Sequence, residues 1–199
     1  MNRKINWGFI VISILLFWQS DLYGQTSIEN EGRLQLHLSL PIINSFRIVP
    51  EEEGAKVNTG FGGITIGLDY YHSKNQFVHI EGSTATGAQF RNAKYGYISS
   101  DYISLSNNHK IKRITVGYGL SYVINNTWQY GEWKILNFFA PIESIKKSHN
   151  AFGLIFSTYF QTGKYFNIGI VYRPTLANKF AYEHLISIDF AWKIRFDKN

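Results

Sequence analysis

The segment 183-EHLISIDFAWKIRF-196 decides how this chain is read. Its even positions are His184, Ile186, Ile188, Phe190, Trp192, Ile194 and Phe196. Its odd positions are Glu183, Leu185, Ser187, Asp189, Ala191, Lys193 and Arg195. One set is apolar and aromatic, and the other carries four charges. Side chains of a strand alternate from face to face, so this is one long strand between two unlike environments. Strands of soluble proteins run to about five or six residues. A strand of about ten, apolar on one face and polar on the other, is what a transmembrane β-barrel requires.

The rest of the chain agrees with export. Asn2, Arg3 and Lys4 precede an apolar run from Phe9 to Trp18, followed by Tyr23-Gly24-Gln25. This order is that of a secretory signal peptide, residues 1–24, and the run is too short to span a bilayer as a helix. Residues 25–199 then form a single barrel domain. They carry 18 Lys and Arg against 13 Asp and Glu, a net charge of +5. Export and the lack of a long basic run argue against nucleic acid and toward anionic lipid or lipopolysaccharide. The chain has no cysteine, which excludes a lipoprotein anchor, a disulfide framework and thiol chemistry. Aromatic residues make up 17%.

Seven more segments alternate in the same way: 33–40, 61–71, 77–86, 94–105, 111–124, 150–160 and 165–173. The fifth is clear, with Ile114, Val116, Tyr118, Leu120, Tyr122 and Ile124 opposing Arg113, Thr115, Gly117, Gly119 and Ser121. The fourth is irregular, because Asp101 shares a face with Ile103 and Leu105; a bulge near Ser99-Ser100 would repair it. The gaps between the eight segments are 20, 5, 7, 5, 25, 4 and 9 residues, alternately long and short. In an up-and-down sheet all short turns then fall at one end, expected to be periplasmic together with both termini. All long loops fall at the other end. His72-Ser73-Lys74-Asn75, Asn107-Asn108-His109 and Thr162-Gly163-Lys164 supply turn chemistry. The expected fold is an all-β, eight-stranded antiparallel up-and-down transmembrane barrel. The gap 125–149, with Trp128, Trp133, Phe138 and Phe139, either extends two strands or folds over the barrel mouth.

The inward faces then hold His37, Asp69, His79, Glu81, Arg113, Arg173, Glu183, Asp189, Lys193 and Arg195. Eight strands leave space for little beyond side chains, so these groups are expected to pair with one another as a structural network. Tyr70, Tyr122, Phe160, Tyr172, Trp192 and Phe196 face outward near the strand ends, as interface aromatics do. His72, His109 and His149 are expected in or beside turns, solvated. His79 and Glu81 are too few for a metal site and no third ligand is evident, so no metal or cofactor is expected. His37 and Ser39 share a face at a spacing that resembles the His-x-Ser of outer-membrane lipid A deacylases. In that family the motif lies late in the barrel and faces lipid, whereas here it lies in the first strand and faces inward, without a third catalytic member.

The signal segment, the eight alternating strands and the final aromatic strand resemble the small outer-membrane barrels of Gram-negative bacteria, the OmpA-transmembrane/OmpX/OmpW group. The resemblance implies insertion by the outer-membrane assembly machinery, with Phe196 as the final aromatic. The expected function is non-enzymatic: a structural or surface-interaction role through external loops, with lipid, lipopolysaccharide or an extracellular partner. The alternatives are a barrel that binds or transports an apolar ligand and a lipid A-modifying hydrolase.

Overall fold

The computed structural model describes residues 32–49, 54–91, 94–130, 144–177 and 181–196. The expected signal segment and the aromatics from Trp133 to Phe139 lie outside them. Among the described residues there are nine strands and no helix: β1 (Leu34–Ile48), β2 (Lys56–Phe61), β3 (Gly63–Ser73), β4 (Gln76–Arg91), β5 (Lys94–Ile111), β6 (Ile114–Tyr130), β7 (Ser144–Gln161), β8 (Phe166–Leu176) and β9 (Tyr182–Arg195). All pairings are antiparallel. β2 and β3 lie end to end along one edge of β1, and β9 takes its other edge from Gln35↔Arg195 to Arg47↔His184. The sheet is therefore closed, with eight staves.

The second stave is broken where the sequence reads Phe61-Gly62-Gly63, and the segment 61–71 expected as one strand is divided there. Gly62 has φ +90°, a conformation that suits a residue without Cβ. In the adjoining stave the register of β1 with β9 shifts between Pro41 and Ile43. Proline has no N–H for the ladder, so a bulge is where a strand accommodates it. The two irregularities are neighbours: a Cβ on Gly63 would stand 2.9 Å from Pro41 Cγ and 2.3 Å from the Thr84 carbonyl. Asn44 Nδ2 fills the gap by donating to the carbonyls of Gly62 (2.8 Å) and Thr86 (3.3 Å). The bulge also reverses parity. Gln35, His37 and Ser39 face inward before it, and Asn44, Phe46 and Ile48 after it. This is why β1 could not be followed beyond Leu40 by alternation.

Three other boundaries differ from the expectation. β4 and β5 pair without interruption to Arg91↔Lys94, joined by residues 92–93 alone. There is no bulge at Ser99-Ser100; Asp101 faces outward and accepts from Asn126 Nδ2 at 3.1 Å. Asn107-Asn108-His109 lies within β5, and the turn is Lys112-Arg113, where Lys112 has φ +55°. Arg113 is accordingly a turn residue and not part of the lumenal face. The connections at the end holding Leu34 and Arg195 have 2, 2 and 4 residues; those at the other end have 7, 2, 13 and 5. The ends differ in length, but the alternation is not strict. They are called below the turn end and the loop end.

The outer face is a continuous apolar belt. Ile66, Leu68, Ile80, Ile103, Leu105, Val116, Leu120, Leu154, Phe156, Ile170 and Ile188 are all exposed, spread around the staves. So are Tyr70, Tyr122, Phe160, Trp192 and Phe196, and Tyr172 is half-buried on the same face. Water does not tolerate a patch of this extent, whereas a bilayer does. On β6 the belt runs from Ile114 to Ile124, the length of about 9–11 residues with which a tilted strand crosses hydrocarbon. Beyond it the outward residues become Asn126 and Trp128. Leu120→Arg, at the middle of the belt, should lower folding stability in vesicles by about 2–4 kcal/mol. Asn150→Arg, at the edge of the belt beside Ile124, should cost about 0–1 kcal/mol. Denaturant unfolding followed by tryptophan fluorescence measures both.

Candidate functional site

The lumen is organised by register. His37 on β1, Gly67 on β3 and Glu81 on β4 form one row across the wall, and Gln35, Asp69 and His79 form the next. Gly67 has no side chain to occupy its place. A Cβ there would lie 2.6 Å from His79 Cε1, so the His79 ring leans over the glycine toward His37, with ring centroids 4.7 Å apart. Gly169 does the same for Tyr159, whose ring would meet a Cβ at 2.2 Å. Small residues on one stave thus hold the large polar side chains of the next.

These rows carry a chain of alternating charges from β9 to β8. Lys193 Nζ donates to Asp69 Oδ2 at 2.7 Å. Asp69 Oδ1 meets His79 Nδ1 at 2.5 Å, and His79 Nε2 meets Glu81 Oε2 at 3.0 Å. Arg173 Nη2 donates to Glu81 Oε1 at 2.6 Å, and Ser104 Oγ to the same oxygen at 2.7 Å. Arg173 also stacks on Tyr102, 3.7 Å from the ring centroid, and Lys193 lies 4.2 Å from that of Phe77. Both contacts to His79 are hydrogen bonds only when the ring carries two protons, the form with a donor at each nitrogen. A buried charge is tolerated when it is paired and hydrogen-bonded, and here each charge of the chain has a partner of opposite sign.

Some buried atoms near the chain have no hydrogen-bond partner. They include both ring nitrogens of His37, Nε and Nη1 of Arg173 and Oδ1 of Asp189. His37 is 2% exposed. It borders a cavity of about 10 Å³, the space of one water-sized sphere, together with Asp69, His79, Glu81, Tyr159 and Lys193. A second cavity of about 20 Å³ lies at the turn end, between Gln35, Tyr71, Lys110, Gln161, Lys193 and Arg195. Arg195 belongs to that vestibule and not to the charge chain. Toward the loop end Phe46, Ile48, Ala85, Ile98, Tyr102, Val123 and Leu185 form an apolar layer.

Beside that layer stands a cluster that alternation alone did not assemble. Glu183 accepts from Asn125 Nδ2 (2.7 Å), from the Val49 amide (2.5 Å) and from His149 Nε2 (2.8 Å). His149, expected to be solvated, is thus a half-buried partner of Glu183. His109 also departs from the expectation: it lies in β5, half-buried, stacked on Tyr118 at 5.8 Å. His72 is exposed beside the turn, as expected. The catalytic arrangement that His37-Leu38-Ser39 suggested does not form. Ser39 Oγ donates to Asp189 Oδ2 at 3.2 Å, and the His37 ring faces His79 and Tyr159. No nucleophile and base are in contact there.

No protein-family model matches the sequence, and no curated protein matches it by sequence. Solved structures match it by shape. Ail, the attachment invasion locus protein of Yersinia pestis, determined in complex with the heparin analogue sucrose octasulfate, superposes with a TM-score of 0.55. The two are 14% identical, over 83% of this chain and 99% of Ail. Neisserial surface protein A, NspA, superposes with a TM-score of 0.52 at 7% identity, over 82% of this chain and 97% of NspA. Likeness at these identities is one of fold. The chain has the fold of the small eight-stranded outer-membrane β-barrels.

The paired lumen has an energetic signature. Glu81→Leu removes the carboxylate that faces buried Arg173 and should destabilise the barrel by about 3–5 kcal/mol, as loss of one member of a buried pair does. Adding Arg173→Met should restore most of that loss, giving a large coupling in a double-mutant cycle of unfolding midpoints.

Proposed function

We propose that this chain is an integral outer-membrane barrel without catalytic activity, acting through its loop end on lipopolysaccharide or on a partner outside the cell. The observation that carries this reading is the combination of a closed barrel, an apolar outer belt and a lumen filled by paired side chains. A wall of this kind places the protein in a bilayer. A filled interior leaves its outer surface and loops to interact with anything else. The likeness in fold to Ail and NspA agrees with an outer-membrane setting. On this reading the loop end faces outward, and the end holding Leu34 and Arg195 faces the periplasm, after delivery by the signal segment and insertion by the assembly machinery.

The loop-end rim suits an anionic headgroup layer. Arg47 lies 5.7 Å from the ring centroid of Tyr182, and Lys146 lies 5.2 Å from that of Trp128. Both pairs face outward just beyond the belt. A cation held against an aromatic ring at that depth presents charge to lipid phosphates while its stem remains on apolar surface. The apolar-ligand transporter is less well supported. It needs an open apolar lumen, whereas the lumen carries the charge chain from Lys193 to Arg173, with an apolar layer toward its loop side.

Three measurements test this reading. Fractionation should recover the protein from detergent-extracted outer membrane with heat-modifiable gel migration; a freely soluble periplasmic protein would refute it. The absence of native cysteine permits single-cysteine labelling: Lys147→Cys should react with an impermeant maleimide on whole cells, and Lys74→Cys should react only after lysis. The reverse pattern would invert the orientation. In planar bilayers the purified protein should show no steady conductance, and a stable open pore would favour transport.

A further inference from the structure

We propose that the lumen holds one divalent ion of the zinc class, bound by His37, Asp69 and His79. The sequence offered His79 and Glu81 alone, which is too few. The fold supplies the missing ligands by bringing β1, β3 and β4 side by side. One possible ligand atom from each of His37, Asp69 and His79 lies within 4.8 Å of the other two, and all three residues are buried. Ligands held at about 2.0–2.1 Å from one tetrahedral ion stand about 3–3.5 Å apart, so small side-chain rotations complete the site. Two imidazoles and one carboxylate are a zinc donor set.

The independent observation is His37. It is 2% exposed, and neither of its ring nitrogens has a hydrogen-bond partner. Buried polar atoms as a rule have partners, and the His37 imidazole, with none among the protein atoms around it and a cavity of about 10 Å³ beside it, has a nitrogen free to ligate. The neighbouring groups are arranged to support one. Glu81 Oε2 engages His79 Nε2, the outer-shell carboxylate contact that fixes a metal-binding histidine and leaves its other nitrogen free to ligate. That other nitrogen, Nδ1, faces Asp69 Oδ1. The ion enters between these two atoms and displaces the proton they share, which leaves to solvent. Lys193 keeps its own contact with the second oxygen, Asp69 Oδ2. Water supplies the fourth ligand from the cavity. Gly67 is part of the design, because a side chain there would push the His79 ring away from His37. An ion so placed would link three adjacent staves.

The test uses the full-length mature barrel, purified in detergent and stripped with chelator. Titration with Zn²⁺ in a calorimeter should give one site per chain with proton release, and Co²⁺ should give the absorption bands of a tetrahedral ion. Zn²⁺ should also raise the unfolding midpoint, as a ligand specific to the folded state does. His37→Ala removes a ligand and should weaken binding by more than the roughly tenfold that loss of an outer-shell partner costs, and should abolish the rise in midpoint. The double variant His72→Ala/His109→Ala, which removes the histidines nearest the turn end, should bind like the parent. If His37→Ala fails to fold, Gly67→Ala tests the same site by displacing His79, with the same expected loss. The proposal is overturned if the folded parent binds no stoichiometric Zn²⁺, if His37→Ala binds unchanged, or if binding disappears with the turn-end histidines instead.

Discussion

Closure of β1 on β9 is the constraint on which the rest of this structure depends. In hydrocarbon no water is available to an unpaired N–H or C=O, so a sheet that crosses a membrane can have no open edge. The pairing from Gln35↔Arg195 to Arg47↔His184 removes the last edge. It does so with strands at opposite ends of the chain, and eight staves set the bore. Everything inside must then fit a space that admits side chains and few waters.

That narrow bore explains the polar interior. Charged groups facing inward cannot be solvated individually, and five of them are held by one another. Lys193, Asp69, His79, Glu81 and Arg173 form one alternating chain, and Glu183, His149 and Asn125 form a second cluster nearer the loops. The glycines opposite them have a steric role. Gly67 and Gly169 stand where the rings of His79 and Tyr159 lie. Where the wall is irregular, at Pro41 and Gly62-Gly63, the side chain of Asn44 ties the two staves to β4 by donating to the carbonyls of Gly62 and Thr86.

Much of this was legible in sequence because a barrel wall translates directly into period-two alternation. Ile114 to Ile124 and Ile186 to Phe196 faced outward as read, and the lumenal positions of His37, Asp69, His79, Glu81, Arg173, Asp189 and Lys193 followed from parity. The failures have local causes. Polar residues such as Asn107, Asn108 and His109 have turn chemistry, but here they lie on a strand that continues to Ile111. The tighter turn at Lys112-Arg113 carries no glycine or asparagine to announce it. Phe46 and Ile48 were lost because the bulge at Pro41 reverses parity, and alternation carries no information across a register shift. Alternation puts Glu183 on the inward face but does not identify its partners, since His149 lies 34 residues away.

By itself the sequence determined which side chains face lipid and which face the lumen along each uninterrupted strand, because there the choice depends only on the strand period and the polarity of each residue. Tertiary structure alone decided which lumenal groups touch. His37 meets His79, Ser39 meets Asp189 and Arg173 reaches Glu81 across 92 positions of chain. Those contacts are set by closure and by the register between strands, which combine residues from distant segments. Alternation specifies a face, and only the paired backbone specifies a neighbour.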